Sequence, residues 1–156
     1  MLAATTYDYS LALHITAVVV GFGATFAESV TFPIAMKLDR VHLPYVHRLQ
    51  RVINTYFAVP ALVIVVATGF YQVSERDWDL GKPWLSISLG LVALIAVLNI
   101  AYFIPEDRRL EAMITRDLAA GEPSEEYMKR SRNTGIAGAL TGVMLIAIIF
   151  LMVTKP

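Results

Sequence analysis

Cysteine is absent from the 156 residues, which excludes thiol catalysis, iron–sulfur ligation and thiolate zinc sites as well as a secreted disulfide scaffold. Net charge is absent too. Thirteen lysines and arginines balance thirteen aspartates and glutamates, so the chain lacks the basic field that nucleic-acid binding needs, and no nucleic-acid partner is expected. Charge of either sign is scarce, at 17% of residues against the roughly 25% of an ordinary soluble domain. What charge there is crowds into three short stretches between long apolar runs. Hydrophobic residues make up 56% of the chain, which rules out disorder and makes the lipid bilayer the expected surroundings.

Four apolar segments, about 9–36, 51–73, 84–104 and 135–153, are each long enough at about 1.5 Å per residue to cross a hydrocarbon core of about 30 Å. The sequence therefore predicts an all-α, polytopic membrane protein, a single domain of four transmembrane helices in an antiparallel bundle. No basic stretch precedes the first segment and no Ala-x-Ala pattern ends it, so it reads as a retained helix and not a cleaved leader. Ten of the thirteen basic residues, including Arg40, Arg48, Arg51, Arg108, Arg109 and Arg130, fall on one side of the spans. By the positive-inside rule that side is cytoplasmic, and both termini face out from a bacterial inner membrane. Trp78 and Trp84 flank the second connection, at the level where aromatic rings prefer the headgroups.

The connection from Pro105 to Asn133 carries two helical signals. Leu110, Met113, Ile114 and Leu118 recur at helical spacing among charged residues, which predicts a short amphipathic helix on the cytoplasmic interface. Gly121-Glu122-Pro123 breaks it. Ser124, followed by Glu125 and Glu126, reads as an N-cap with an acidic first turn, opening a helix that runs on into the fourth span.

Polar side chains at depth are the informative ones, because an unpaired charge in hydrocarbon costs at least about 2.5–3.5 kcal/mol. His14 and Glu28 stand fourteen positions apart on the first helix, within about 40° of one direction. A stripe of small residues, Ala17, Gly21 and Ala24 or Thr25, lies between them and lets a neighbouring helix approach closely. By residue counting, Glu28, Asn54, Asn99 and Thr141 come to one depth, roughly 9–13 Å from the inner boundary, with Arg51 one turn below as the expected counter-charge. His14 comes level with Thr68 and Ser88 nearer the outer boundary. Glu28 is then either a proton-handling or ligand-binding carboxylate or half of a structural ion pair. His14 is either a haem or metal ligand or a hydrogen-bonding partner of Ser88 or Thr68.

His42 and His47, separated by Pro44, read as solvated loop residues and not as a metal site. Gly135, Gly138 and Gly142 form a close-packing face on the fourth helix, for the bundle itself or for dimerisation. Pro60 is expected to bend the second helix and free a carbonyl near Tyr56. Met144 and Met152 read as packing residues.

The sequence Leu13-His14-Ile15, with Thr68-Gly69 late in the second helix and Lys82-Pro83-Trp84-Leu85 opening the third, resembles a group of small bacterial four-helix membrane proteins. That group includes a predicted integral membrane family known as a domain of unknown function, the copper-resistance D domain and the HemJ-type protoporphyrinogen oxidase. For the oxidase-type members the resemblance implies a haem b held by the first-helix histidine, here His14, and a lysine in the third helix that serves the chemistry. Ser86-Ile87-Ser88 stands where that lysine is expected. The sequence leaves three function classes: a haem-associated or redox-linked protein using His14, a non-catalytic subunit or scaffold of a larger membrane complex, and a small proton-coupled transporter built on Glu28 and acting as a homo-oligomer.

Overall fold

A computed structural model describes residues 4–35, 37 and 39–156. Its helices are α1 (Thr6–Ala35), α2 (Leu43–Ile53), α3 (Val59–Glu75), α4 (Pro83–Val97), α5 (Ile104–Ala119) and α6 (Glu125–Thr154). A 3₁₀ turn at Arg40–His42 leads into α2, and π turns at Asn54–Ala58 and Leu98–Phe103 join α2 to α3 and α4 to α5. The chain therefore makes four rods, α1, α2–α3, α4–α5 and α6, each long and apolar enough to cross a membrane. No strand occurs among the described residues. The expected end of the first span at Met36 lies outside the described residues, and α1 is described to Ala35.

Local chemistry sets the helix ends. Thr5 and Asp8 cap α1 reciprocally, the Thr5 amide and hydroxyl donating to Asp8 Oδ2 at 2.8 Å while the Asp8 amide donates to Thr5 Oγ1 at 3.3 Å. Pro83 opens α4, where its missing N–H costs nothing. Gly121, at φ +113°, turns the chain out of α5. Ser124 caps α6 by accepting the Tyr127 amide at 3.2 Å, and its own amide and hydroxyl donate to Asp117 Oδ2 of α5. The predicted start of the last helix, and its continuous run into the fourth span, are found as expected.

Two expectations need correction. The second rod is not confined to 51–73: α2 begins eight residues earlier, at Leu43, and residues 43–50 form its first turns instead of a loop. The amphipathic stretch around Leu110 is not a separate interfacial helix either, because α5 continues the third rod without a break. Both misreadings have one cause. These segments are too charged to register as spans, yet they bury their apolar faces against protein and not against lipid. Pro60 and Pro105 are accommodated in the rods because each follows a π turn, whose wider winding makes room for the ring and for the carbonyl that proline, lacking an N–H, cannot bond.

Past the apolar spans, α2, α5 and the first turns of α6 pack together as a small cap. Its core is Ala35, Leu43, Val46, Leu110, Ile114 and Tyr127. Arg51 of α2 pairs with Glu111 of α5 at 3.1 Å, and Glu106 of α5 accepts from Arg130 of α6 at 2.8 Å. Within the spans most large side chains, such as Val63, Ile87, Leu140 and Phe150, face outward, as helices in lipid should. The inward faces are small: a Cβ on Gly21 would stand 3.4 Å from that of Ala61, so α1 and α3 lie backbone against backbone. At the end opposite the cap, Trp78 and Trp84 meet edge to face at 5.5 Å, and Lys155 Nζ lies 4.3 Å over the Trp78 ring.

The cap core carries a stability prediction. Ile114→Ala, at a fully buried position, is expected to cost about 2–4 kcal/mol, whereas Val143→Ala on the outward face of α6 should change stability by less than about 0.5 kcal/mol. Thermal unfolding of both variants in one detergent distinguishes them.

Candidate functional site: a polar cavity at the basic end of the bundle

The four residues assigned to one polar layer, Glu28, Asn54, Asn99 and Thr141, line a single cavity of about 410 Å³ at the cap end of the spans. Its floor is buried and polar: Asn54, Asn99 and Thr141 from the spans, joined by His47, Asp107 and Ser131 from the cap. Its rim is formed by exposed residues of α1 and α6, among them Ser29, Pro33, Arg132, Gly135, Ile136 and Ala139. The exposed part of the lining thus belongs to α1 and α6, and the cavity opens between them.

Helix geometry brings these groups together. His47 and Asn54 are seven residues apart on α2, two helical turns, and so share a face. Asn99 and Asp107 are eight apart, which is out of phase in a regular helix. The π turn at Leu98–Phe103 takes up about one residue and brings them to one side. Both asparagines sit inside π turns, the distortion that recurs at functional positions.

The hydrogen-bonding state of the floor is uneven. Thr141 and Thr25 give their hydroxyl hydrogens to helix carbonyls, Ala137 O at 2.9 Å and Gly21 O at 3.1 Å. Asn99 donates one amide hydrogen to Ile95 O at 3.2 Å. Asn99 Oδ1 and Glu28 Oε1 are buried and accept no hydrogen bond. His47 is held by Tyr127, Nε2 to Oη at 2.9 Å, with Asp107 Oδ1 3.9 Å from Nδ1. Asn54 lies beside both the Glu28 and the Asp107 carboxyls, which links the intramembrane acid to the cap.

Several expectations change here. Arg51 is not the counter-charge of Glu28; it is spent on Glu111, because α2 continues past the span and turns Arg51 toward α5. His47 is not a solvated loop residue but 2% exposed on α2, whereas His42 ends the 3₁₀ turn and is exposed. Gly135, Gly138 and Gly142 do not serve close packing within the bundle, since a Cβ on any of them would meet nothing within 4 Å. Sequence reading missed His47, Asp107 and Ser131. The seven-residue spacing of His47 and Asn54 was a usable signal, masked by placing His47 in a loop.

At the other end His14 shares a 2.8 Å hydrogen bond, Nδ1 to Thr68 Oγ1, and a Cβ on Gly69 would lie 3.5 Å from its Cε1. Ser88 bonds within its own helix, to Trp84 O at 2.7 Å. Between the two polar levels lies a small apolar gap of about 80 Å³, lined by residues such as Ala17, Ala61, Leu62 and Ile95. His14 lines neither this gap nor the polar cavity. The half-buried ring packs against α3. No group of three or more His, Cys, Asp or Glu side chains suited to a metal ion occurs among the described residues.

The family comparison agrees with this architecture. Residues 9–156 match the family model described as predicted integral membrane protein (DUF2269). The chain belongs to that family. No curated protein and no solved structure matches it.

The His47–Tyr127 contact generates a test of the link between cavity and cap. Tyr127→Phe leaves a buried imidazole nitrogen without its partner and is expected to cost about 1–3 kcal/mol. An unfolding midpoint equal to that of the parent protein would show that the cap does not depend on this bond.

Proposed function

We propose that this protein is a small membrane transport unit in which the Glu28 carboxyl takes up and releases a proton or a cation, with the basic cap on the cytoplasmic side of the membrane. One observation carries the reading: Glu28 Oε1 is buried at span depth, faces a cavity of about 410 Å³ and has no partner. A structural ion pair would have supplied one. The excess of lysine and arginine at the cap end supports the orientation. The apolar residues between Glu28 and His14 close the cavity toward the far end, so passage requires rearrangement. The π turns beside Asn54 and Asn99 are the joints best placed to supply it.

Proteoliposomes under a valinomycin-set potential, with a pH dye inside, test this reading. Proton entry should exceed that of protein-free vesicles and fall to their level in Glu28→Gln. Equal rates for the parent and Glu28→Gln would overturn it.

The haem-associated reading rests on the resemblance through His14, whose Nδ1 is engaged with Thr68. Detergent-purified protein from haem-supplemented cells is expected to show no Soret band. A band that disappears in His14→Ala would restore the haem reading in place of transport.

A further inference from the structure

The chemistry of the cavity floor narrows the ligand. Resting on the reading of Glu28 as the working group, we infer that the cavity binds an amphipathic primary amine, its ammonium group on Glu28 and Asn99 and its apolar part passing sideways between α1 and α6 into the lipid.

Several donors of the lining are already committed, while two of its buried acceptors are unmet. The hydroxyls of Thr25 and Thr141 and one N–H of the Asn99 amide are committed to helix carbonyls, which leaves their oxygens as acceptors. Asn99 is only 7% exposed, lines the cavity and keeps Oδ1 without a donor. Glu28 Oε1 is in the same condition, and Asp107 adds a second carboxyl to the same wall. A buried acceptor without a donor costs about 1–3 kcal/mol. A ligand that carries several N–H donors and a positive charge removes two such penalties at once. An anion meets two carboxyls here, and a neutral alcohol satisfies one acceptor at most. The one basic side chain of the lining other than His47 is Arg132, which stands exposed at the rim.

The opening supplies the second half of the argument. Exposed Pro33, Gly135, Ile136 and Ala139 border it beside Ser29 and Arg132, at the cap-side ends of the span helices, so it lies at the level where acyl chains meet headgroups. A Cβ on Gly135 or Gly138 would meet nothing within 4 Å, which leaves a slot where other residues would place side chains. A cavity of this size lies in the range that holds small organic ligands, about 300–1,000 Å³. The match is a small donor-rich cationic head and an apolar tail.

Monodansylcadaverine, a fluorescent primary amine, provides the probe, with N-dansyl-6-aminohexanoate as the anionic analogue. Both are titrated into the protein in phosphatidylcholine nanodiscs, with empty discs subtracted. The amine should bind saturably and at least tenfold more tightly than the carboxylate. Glu28→Gln should weaken it about tenfold or more, and Asn99→Leu severalfold. Gly138→Leu puts a side chain into the slot from a position where a Cβ meets nothing within 4 Å, and should also weaken binding while leaving Glu28 intact, with the unfolding midpoint measured alongside. Equal binding of the two probes, or amine binding indifferent to Glu28→Gln and Gly138→Leu, overturns the assignment. Glu28-dependent proton entry without amine binding removes the ligand and leaves the transport reading standing. Amine binding without such entry keeps the ligand site and removes transport, and failure of both measurements removes both.

Discussion

A carboxyl group at span depth has to be enclosed by protein, and this requirement organises the bundle. Glu28 in contact with acyl chains would cost several kilocalories per mole, so the face of α1 that carries it turns inward, together with the small residues on either side. Those residues bring α1 against α3 closely enough for Gly21 to lie beside Ala61. Asn54, Asn99 and Thr141 then gather at the level of Glu28 from the other rods, because polar groups inside a membrane protein are driven to the one place where lipid is absent.

The cap gives the polar layer its floor. Three helices outlast their spans and pack an apolar core outside the lipid, where water restores the hydrophobic driving force that helix association lacks within a bilayer. The ion pairs Arg51–Glu111 and Arg130–Glu106 and the Ser124–Asp117 anchor lie around this core and fix the rods in register. His47 and Asp107 reach the cavity only because α2 and α5 continue as helices. The spans themselves bury few large side chains, so much of the specific packing is concentrated in the cap while the membrane portion stays loosely sealed and open at one seam.

The parts of the site that were legible were those set by helical phase and depth. Fourteen residues separate His14 from Glu28, and counting from the boundaries puts the four inner polar residues at one level. The partners of those residues were not legible. Arg51 stands one turn from the polar layer in sequence but pairs away from it, because the direction of its helix depends on α5. The glycines of α6 read as a packing seam, yet a seam and an open slot have the same sequence, and only the position of the neighbouring helix separates them. His14 found one of its two anticipated partners, Thr68, and Ser88 turned to its own backbone.

By itself the amino-acid sequence determined the solvent of this protein, the number of crossings and the cap of the last helix. Each depends on the transfer free energy of consecutive residues or on hydrogen bonds within one turn, and neither needs a distant partner. Tertiary structure decided which polar groups pair, which stay unsatisfied, and where the bundle opens. Those outcomes depend on contacts between residues far apart in the chain, and here two π turns shift the helical phase at Asn54 and Asn99. A one-residue change of phase rotates every following side chain by about 100°, and no local pattern in the sequence records it.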